Sequence, residues 1–432
     1  MKHSSLTIFS LLLLIVILSS TLFAQTQLEQ KLKSLEGIVK VTQLEADSIY
    51  SEIYEIFIDQ PVDHKNPEGD HFIQKIYIGH VDYNLPVVVQ LAGYSLSYPR
   101  YNELADILNC NKIQVEHRYF GESAPENVQW EYLTVEQSAR DHHQIISLFK
   151  NIYNGKWISS GISKGGQTTM FHRYFFNDDV DVSVPYVAPL NIAEEDPRIY
   201  HFLDNVGTKE CRDKMILFQR EVLKREDEML ELFLDDTKKL GYTYSIGGDR
   251  LIFEFVVLEY TFAFWQWQNN NCDEVPYISA SSEELFNHLK RNSPFKYYSD
   301  QGIAPILPFF YQAYNEIGYY GYDISPLKDL LREIKDPSSK IFIPQNSNPQ
   351  FDCSLMQSIN SWIQKHGNNM IFIYGENDTW SAPAIQLTGE TNSIKMVKES
   401  GPHRTRIKHF SDEEKEIIYS TLENWLDYKI DR

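Results

Sequence analysis

Short apolar runs and amphipathic stretches alternate along the first part of the chain, and this order predicts strands followed by helices. Residues 54–58 and 72–78 alternate apolar and polar side chains, as half-buried strands do, and the turn-rich segment 60–67 between them predicts an antiparallel pair. Residues 86–91 are almost continuously apolar, which is typical of a buried parallel strand. Further strands are expected at 112–117, from Trp157 onward and at 180–187, with helices at 98–108, 134–150 and 167–174.

The alternation stops near Pro189 and resumes after about residue 345. The stretch between is rich in helical patterns, charges and aromatic residues, and its most apolar part is 251–268. A helix at 353–366, strands at 369–374 and 393–398 and a closing helix at 412–429 then restore the earlier pattern. We therefore predict an α/β fold, specifically an α/β-hydrolase fold, with an inserted helical cap. We predict a leader at 1–24, a hydrolase domain in two parts at 25–190 and 346–432, and the cap between these parts at 191–345.

The first 24 residues have the pattern of a cleaved secretory signal. Lys2 precedes an apolar run at 6–18 that is short for a membrane span, and small residues lead to Ala24, where we expect cleavage. An uncleaved anchor is the alternative. Residues 25–51 are interpreted as a polar lead-in with helical periodicity. The mature protein is expected to be secreted or periplasmic, without stable membrane insertion.

Charge and cysteine content narrow the possible functions. The 432 residues carry a formal net charge of −20, which argues against binding the phosphate backbone of nucleic acids. An exported protein permits disulfides, and we expect Cys211 to pair with Cys272, since both lie in one region of the predicted cap. The chain contains no CxxC or HExxH motif, so no metal site and no cofactor is predicted.

The segment 161–165 (Gly-Ile-Ser-Lys-Gly) predicts a sharp turn between a strand and a helix, with Ser163 at its apex. Such a turn tolerates little side-chain bulk, because strand and helix pack closely behind the serine. It would expose the serine hydroxyl above the sheet and direct the next peptide N–H, that of Lys164, toward an oxyanion. A second oxyanion donor is expected in the small-residue loop that contains Gly93 and Tyr94.

A serine at neutral pH needs a base to accept its proton and an acid to orient that base. Asp378 lies in the loop after the predicted strand 369–374, and His403 lies in the loop after the next strand. The chain order serine, acid, histidine is that of the α/β-hydrolases, so Ser163, Asp378 and His403 are predicted to form the catalytic triad. Glu376 and Asp352 are alternatives for the acid and His409 for the base, whereas we interpret the following histidines as structural or surface residues: His117, His142, His143 and His172.

Longer motifs then identify a family. The chain resembles the secreted S37 peptidases, which include the Streptomyces tripeptidyl and prolyl tripeptidyl aminopeptidases, and is more distantly similar to the S28 prolyl carboxypeptidase and dipeptidyl peptidase II. The residues that carry the resemblance are the segments 60–67 (QPVDHKNP), 116–123 (EHRYFGES), 161–166 (GISKGG) with 186–189 (YVAP), 375–381 (GENDTWS) and 401–403 (GPH). Lysine after the elbow serine favours S37, because S28 peptidases usually have tyrosine there.

The resemblance implies an exported serine exopeptidase that releases short peptides, di- or tripeptides and in some members after proline, from free N-termini. The family's triad falls on Ser163, Asp378 and His403. An aminopeptidase must bind a free ammonium group, which calls for a carboxylate inside the cleft. Our principal candidates are Glu195 and Glu254, and the wider set comprises Glu194, Asp196, Glu259, Glu116 and Glu122.

Two other functions remain open from the sequence. A carboxylesterase or lipase could use the same triad, since fold and triad do not determine the acyl group. A non-catalytic binding protein is the third hypothesis. The expected partners are peptide substrates.

Overall fold

A computed structural model describes residues 25–267, 271–293 and 295–432. In this part of the chain nine strands form one sheet in the order β1-β2-β3-β5-β4-β6-β7-β8-β9. The first four strands in this order pair antiparallel, and β5 through β9 pair parallel. The strands are β1 Ile38–Leu44, β2 Glu52–Pro61, β3 His71–His80, β4 Val87–Leu91, β5 Asn111–Val115, β6 Trp157–Ile162, β7 Val182–Tyr186, β8 Ile371–Gly375 and β9 Ile394–Lys398.

Helices connect the parallel strands, as the alternation in the sequence predicts. Apolar side chains of the central strands are fully buried, because helices pack on both faces of the sheet. The α-helices are α1 Gln27–Ser34, α2 Glu103–Ile107, α3 Val135–Phe149, α4 Lys164–Phe175, α5 Pro197–Leu203, α6 Lys209–Lys224, α7 Glu226–Leu240, α8 Gly248–Trp267, α9 Ser282–Asn292, α10 Asp300–Ile303, α11 Leu307–Gln312, α12 Ser354–His366 and α13 Asp412–Leu426.

The parallel strands, the connecting helices and the elbow between β6 and α4 are those of the α/β-hydrolase fold, so the predicted fold class is confirmed. The antiparallel pair expected from 54–58 and 72–78 is also present, as β2 and β3. The lead-in differs from the prediction, because helix α1 ends at Ser34 and the chain then forms edge strand β1. Most of β1 is only half-buried, so its hydrophobic alternation is weak.

Between β7 and β8 the chain runs through helices α5 to α12, of which α5 to α11 lie in the predicted cap stretch 191–345. The apolar side chains of this stretch belong to the same core cluster as Met170, Ala188 and Phe372, which lie in the elbow helix, after β7 and in β8. This packing places the helical stretch directly on the sheet. That 191–345 forms a cap domain of its own remains a proposal.

Helix α8 is the centre of the helical stretch. Almost every side chain from Ile252 to Gln266 is buried, including those at positions on opposite sides of the helix. A helix that is apolar all round is enclosed by its neighbours. Two hydrogen bonds connect its C-terminal half to the loops after β8 and β9. Thr379 Oγ1 donates to the carbonyl of Phe262 at 3.1 Å, and the N–H of His403 donates to the carbonyl of Gln266 at 2.8 Å.

Cys211 and Cys272 form a disulfide with their Cα atoms 5.6 Å apart, as predicted. The bond joins the beginning of α6 to the segment that follows α8. Among the described residues, no helix combines the length and the apolar character needed to cross a membrane. The predicted signal segment 1–24 lies outside the described residues.

Candidate active site

Ser163 sits at the apex of the turn between β6 and α4 with φ 58° and ψ −121°, a conformation that is strained for a residue with a side chain. The flanking glycines make this turn possible. A Cβ on Gly161 would overlap the carbonyl of Gly165, and a Cβ on Gly165 would overlap the carbonyl of Leu91. Strand, elbow and helix therefore pack backbone to backbone, as the sequence predicts for an exposed nucleophile.

Asp378 and His403 meet at the carboxyl ends of β8 and β9. His403 Nδ1 lies 2.7 Å from Asp378 Oδ2, and both side chains are buried. The other carboxylate oxygen, Oδ1, accepts the N–H of Trp380 at 3.1 Å, which fixes the orientation of the carboxylate. Since an ionised carboxylate can only accept, Nδ1 carries the proton and Nε2 is left as an acceptor.

The alternative acids and base lie elsewhere. Glu376 is exposed and accepts the N–H of Ser400, and the carboxylate of Asp352 accepts the N–H of Ser354. His409 accepts the N–H of Arg406 through Nδ1. Of these candidate acids and bases, Asp378 and His403 are the two that the structure pairs with each other.

Ser163 and His403 line one cavity of about 650 Å³ above the carboxyl edge of the sheet. Helix α8 forms one wall with Glu259, Gln266 and Trp267. The Trp267 ring meets the His403 ring edge to face, with the ring centroids 5.3 Å apart. The volume is suited to a short peptide or a compound of similar size.

The predicted oxyanion donors lie together at the floor of this cavity. Gly93, Tyr94 and Lys164 all line it, and a Cβ on Gly93 would overlap the backbone of the elbow. The peptide N–H groups of these three residues have no acceptor among the described residues. They are free to bind an oxygen that develops negative charge.

The side chain of Lys164 is placed differently from its peptide N–H group. It is buried, with its amine 5.1 Å from the centroid of the Phe120 ring and 5.6 Å from that of Tyr94, and burial holds the pKa of the amine well below its usual range. A buried, desolvated lysine next to the elbow packs against the oxyanion loop. This arrangement agrees with a backbone contribution from Lys164.

The two principal candidates for an ammonium site lie away from the cavity lining. Glu254 is fully buried, and its carboxylate accepts the N–H groups of Arg332, Glu333 and Ile334, which anchors that turn to α8. The Glu195 carboxylate accepts the Tyr200 hydroxyl at 3.3 Å. Sequence position could not separate these acids from others, because the cap patterns do not reveal which side of a helix faces the cleft.

Most of the wider candidates are also engaged in structural contacts. Glu194 pairs with Lys340, and Asp196 pairs with Arg198 and caps α5. Glu116 accepts the N–H of Leu96 and the hydroxyl of Ser123, whereas Glu122 pairs with Lys75. Of the described residues that line the cavity, Glu259 is the one carboxylate.

Glu259 lies in a ring of tyrosines. Its Oε2 accepts the hydroxyls of Tyr320 and Tyr322 at 2.8 Å each and that of Tyr298 at 3.3 Å. Burial raises the pKa of Glu259 to about 7, and the tyrosine hydrogen bonds oppose that shift. The Tyr320 ring stacks on Phe262 with ring centroids 3.8 Å apart, which fixes the donor. No basic side chain in the described part of the chain pairs with Glu259, and a buried carboxylate of this kind that faces a cavity is suited to a cationic ligand.

The elbow, the sheet and the cavity above its carboxyl edge place the protein in the class of α/β-hydrolases. A profile of the family described as PS-10 peptidase S37 matches residues 25–425. The chain belongs to this family and is a serine peptidase, which confirms the resemblance seen in the sequence.

One bacterial relative shows the same relationship. The chain is 31% identical over 373 residues to the prolyl tri/tetrapeptidyl aminopeptidase of Streptomyces mobaraensis, and the match covers 85% of this chain and 78% of that protein. Among solved structures, the proline iminopeptidase of Mycobacterium smegmatis is 12% identical with a TM-score of 0.37, covering 85% of this chain and 98% of that chain. The bromoperoxidase of Bacillus anthracis is 15% identical with a TM-score of 0.32, covering 85% and 99%.

Proposed function

We propose that the protein is an exported serine aminopeptidase in which Ser163, His403 and Asp378 are the catalytic triad. The observation that carries this proposal is the 2.7 Å contact between Asp378 and His403 at the same cavity that the elbow serine lines. Ser163 Oγ attacks the scissile carbonyl while His403 Nε2 takes its proton, and Asp378 holds the imidazole in the required tautomer. The N–H groups of Lys164 and of the Gly93–Tyr94 loop bind the oxyanion.

The cycle then closes without a cofactor. His403 gives the proton to the departing amine as the C–N bond breaks, which leaves an ester on Ser163. A water molecule, deprotonated by His403, attacks the acyl carbon. The ester bond breaks, and Ser163 regains its proton.

The N-terminal ammonium of the substrate binds Glu259. A peptide that enters the cavity with its free end first meets this carboxylate, and the tyrosine hydroxyls hold the carboxylate in place. A charge-assisted contact in a buried site discriminates strongly against a peptide whose N-terminus is blocked. Glu259 thus replaces Glu195 and Glu254 as the proposed ammonium ligand.

Helix α8 sets the length of the released peptide. Trp267, which packs on His403, follows Glu259 by eight residues on this helix. At about 1.5 Å per residue this separation is about 12 Å along the helix axis. An extended peptide covers about 3.3–3.6 Å per residue, so roughly three or four residues span the distance from the ammonium site to the scissile bond. The Streptomyces mobaraensis relative is by its name a tri/tetrapeptidyl enzyme.

The cavity walls favour a flat apolar residue such as proline. The rings of Tyr319, Tyr320 and Trp380 line the cavity and pack on one another at centroid distances of 4.3 to 5.7 Å. Rigid aromatic surfaces bind a pyrrolidine ring at little entropic cost.

Export is supported by the signal pattern at 1–24 and by the Cys211–Cys272 disulfide, since disulfides persist in oxidising compartments.

The test is hydrolysis of paired substrates by the purified mature protein. Ala-Ala-Pro-anilide with a free N-terminus should be cleaved at least about 10²-fold more efficiently than its acetylated form, because acetylation removes the charge that Glu259 binds. The p-nitrophenyl butyrate ester serves as the comparison for an esterase. Ester turnover without peptide cleavage would support the carboxylesterase alternative, and no turnover of any substrate would support a binding protein.

A further inference from the structure

Three arginines are among the residues that line the cavity. Arg100, Arg404 and Arg406 all contribute to the wall, in a chain whose net charge is −20. Arg406 is committed to the fold, because its guanidinium donates to the carbonyls of His403 and Thr405. Arg100 and Arg404 differ from it, since both are exposed and neither forms an ion pair with a carboxylate of the described residues.

The positions of these two guanidinium groups are restrained. Arg404 lies over the Trp267 ring, 5.7 Å from its centroid, and that ring packs on His403. Arg100 Nη2 donates to the carbonyl of Ser95 at 3.0 Å, which holds it beside the loop that carries Tyr94. A guanidinium group placed in this way keeps further N–H donors for a ligand.

The mechanism determines which part of a substrate lies here. His403 must reach the departing amine to protonate it, so the departing peptide lies against His403. The acyl part extends from Ser163 toward Glu259, which lies about two turns of helix α8 before Trp267. Arg404, the neighbour of His403 in the chain, therefore borders the first residues after the scissile bond.

We propose that Arg100 and Arg404 form a subsite for a carboxylate on the departing part of the substrate. This inference rests on the proposed function. The cavity would then have a negative group for the ammonium end and two positive groups for the opposite end, which suits short peptides with both termini free. Two sources of the carboxylate share this chemistry, namely the C-terminus of a short peptide and an acidic side chain just after the scissile bond.

The experiment compares four peptides that share the sequence Ala-Ala-Pro before the scissile bond. They continue with alanine as free acid, alanine amide, glutamate amide or glutamine amide. For the wild type, kcat/KM should be about three- to tenfold higher for a peptide with a carboxylate than for its neutral partner, a size typical of partly exposed charge-assisted contacts. A gain for alanine acid assigns the C-terminus, and a gain for glutamate amide assigns the acidic side chain.

The double variant Arg100→Gln/Arg404→Gln should reduce these ratios to about one. Its kcat/KM on Ala-Ala-Pro-anilide, which carries no carboxylate, is the reference for the four peptides, and this readout detects damage to the fold or to the triad. Arg291→Gln is the matched control, since Arg291 is exposed on α9 and does not line the cavity. Equal kcat/KM for charged and neutral partners in the wild type, or ratios retained in the double variant, would overturn the proposal while leaving the aminopeptidase function intact. If even the free anilide resists cleavage, the proposed function itself fails.

Discussion

Replacing Asp378 by Asn should lower kcat about 10⁴-fold, and replacing Ser163 by Ala about 10⁶-fold, with little change in folding. An asparagine amide would donate to His403 Nδ1, so the imidazole proton would move to Nε2 and block the acceptor that Ser163 needs. Loss of the Ser163 hydroxyl removes the nucleophile altogether. Steady-state hydrolysis of Ala-Ala-Pro-anilide measures both effects.

The chain offers a matched control for the acid. Glu376 lies two positions before Asp378 in the same loop, is exposed and accepts the N–H of Ser400 through its carboxylate. Glu376→Gln should keep kcat within about twofold, because surface changes away from the site have small effects. Labelling with a fluorophosphonate should modify the wild type on Ser163 alone. Full activity of Asp378→Asn together with inactive Glu376→Gln would refute the assignment of the acid.

Replacing Glu259 by Gln should reduce kcat/KM for peptides with a free N-terminus by about 10²–10³-fold, mainly through KM, since the amide keeps hydrogen bonds but loses the charge. Hydrolysis of p-nitrophenyl butyrate, which has no ammonium group, should change little. An equal loss on both substrates would show that Glu259 acts on the fold or the triad and not on the N-terminus.

Stability gives an independent signature of the same residue. The pKa of Glu259 in the fold is about 7, above its usual value of 4.5. Between pH 4.5 and 7 the unfolded chain therefore ionises first, and above pH 7 the buried charge destabilises the fold by about 3 kcal/mol. Glu259→Gln should thus raise the Tm at pH 8. Glu254→Gln should lower the Tm and spare kcat/KM, because Glu254 holds three backbone N–H groups and lies outside the cavity.

The pH dependence of peptide hydrolysis follows from the same carboxyl group of Glu259. Below about pH 7 the Glu259 carboxyl takes up a proton and loses its attraction for an ammonium ion. The ratio of kcat/KM for the free anilide to that for the ester should therefore rise between pH 5.5 and 7.5. The ester is cleaved by the same triad and carries no ammonium group, so the ratio removes effects that both reactions share. A ratio that stays flat with pH, or the same rise in Glu259→Gln, would contradict the role of this carboxylate.

Sequence patterns predicted the structure best where local rules determine it. The elbow at Ser163 follows from the glycines that its packing requires, and Asp378 and His403 follow from their positions after buried strands at one sheet edge. The parallel strands and the fold class were predicted for the same reason. Strand β1 was missed, because a half-buried edge strand has too weak an alternation to distinguish it from a polar lead-in.

The substrate side of the cavity could not be derived in this way. Glu254 and Glu259 lie on one apolar helix, and only the tertiary packing shows that one binds backbone N–H groups while the other faces the cavity. The tyrosines that donate to Glu259 come from segments some 40 to 60 residues away along the chain. Arg100 likewise reaches the cavity from a loop far from His403 in sequence. Contacts between distant segments leave no periodic signal.

The most direct test of the account is the position of cleavage in a ladder of unblocked peptides that carry one proline at position two, three, four or five. Mass spectrometry of the products identifies the bond that is cut. The rise of about 12 Å along helix α8 from Glu259 to Trp267, which packs on His403, predicts release of tri- and tetrapeptides, with loss of both products in Ser163→Ala. Two results would contradict a serine peptidase in which Glu259 sets the length of the released peptide. One is release of dipeptides or pentapeptides as fast as tri- and tetrapeptides, and the other is equal cleavage of peptides with free and acetylated N-termini.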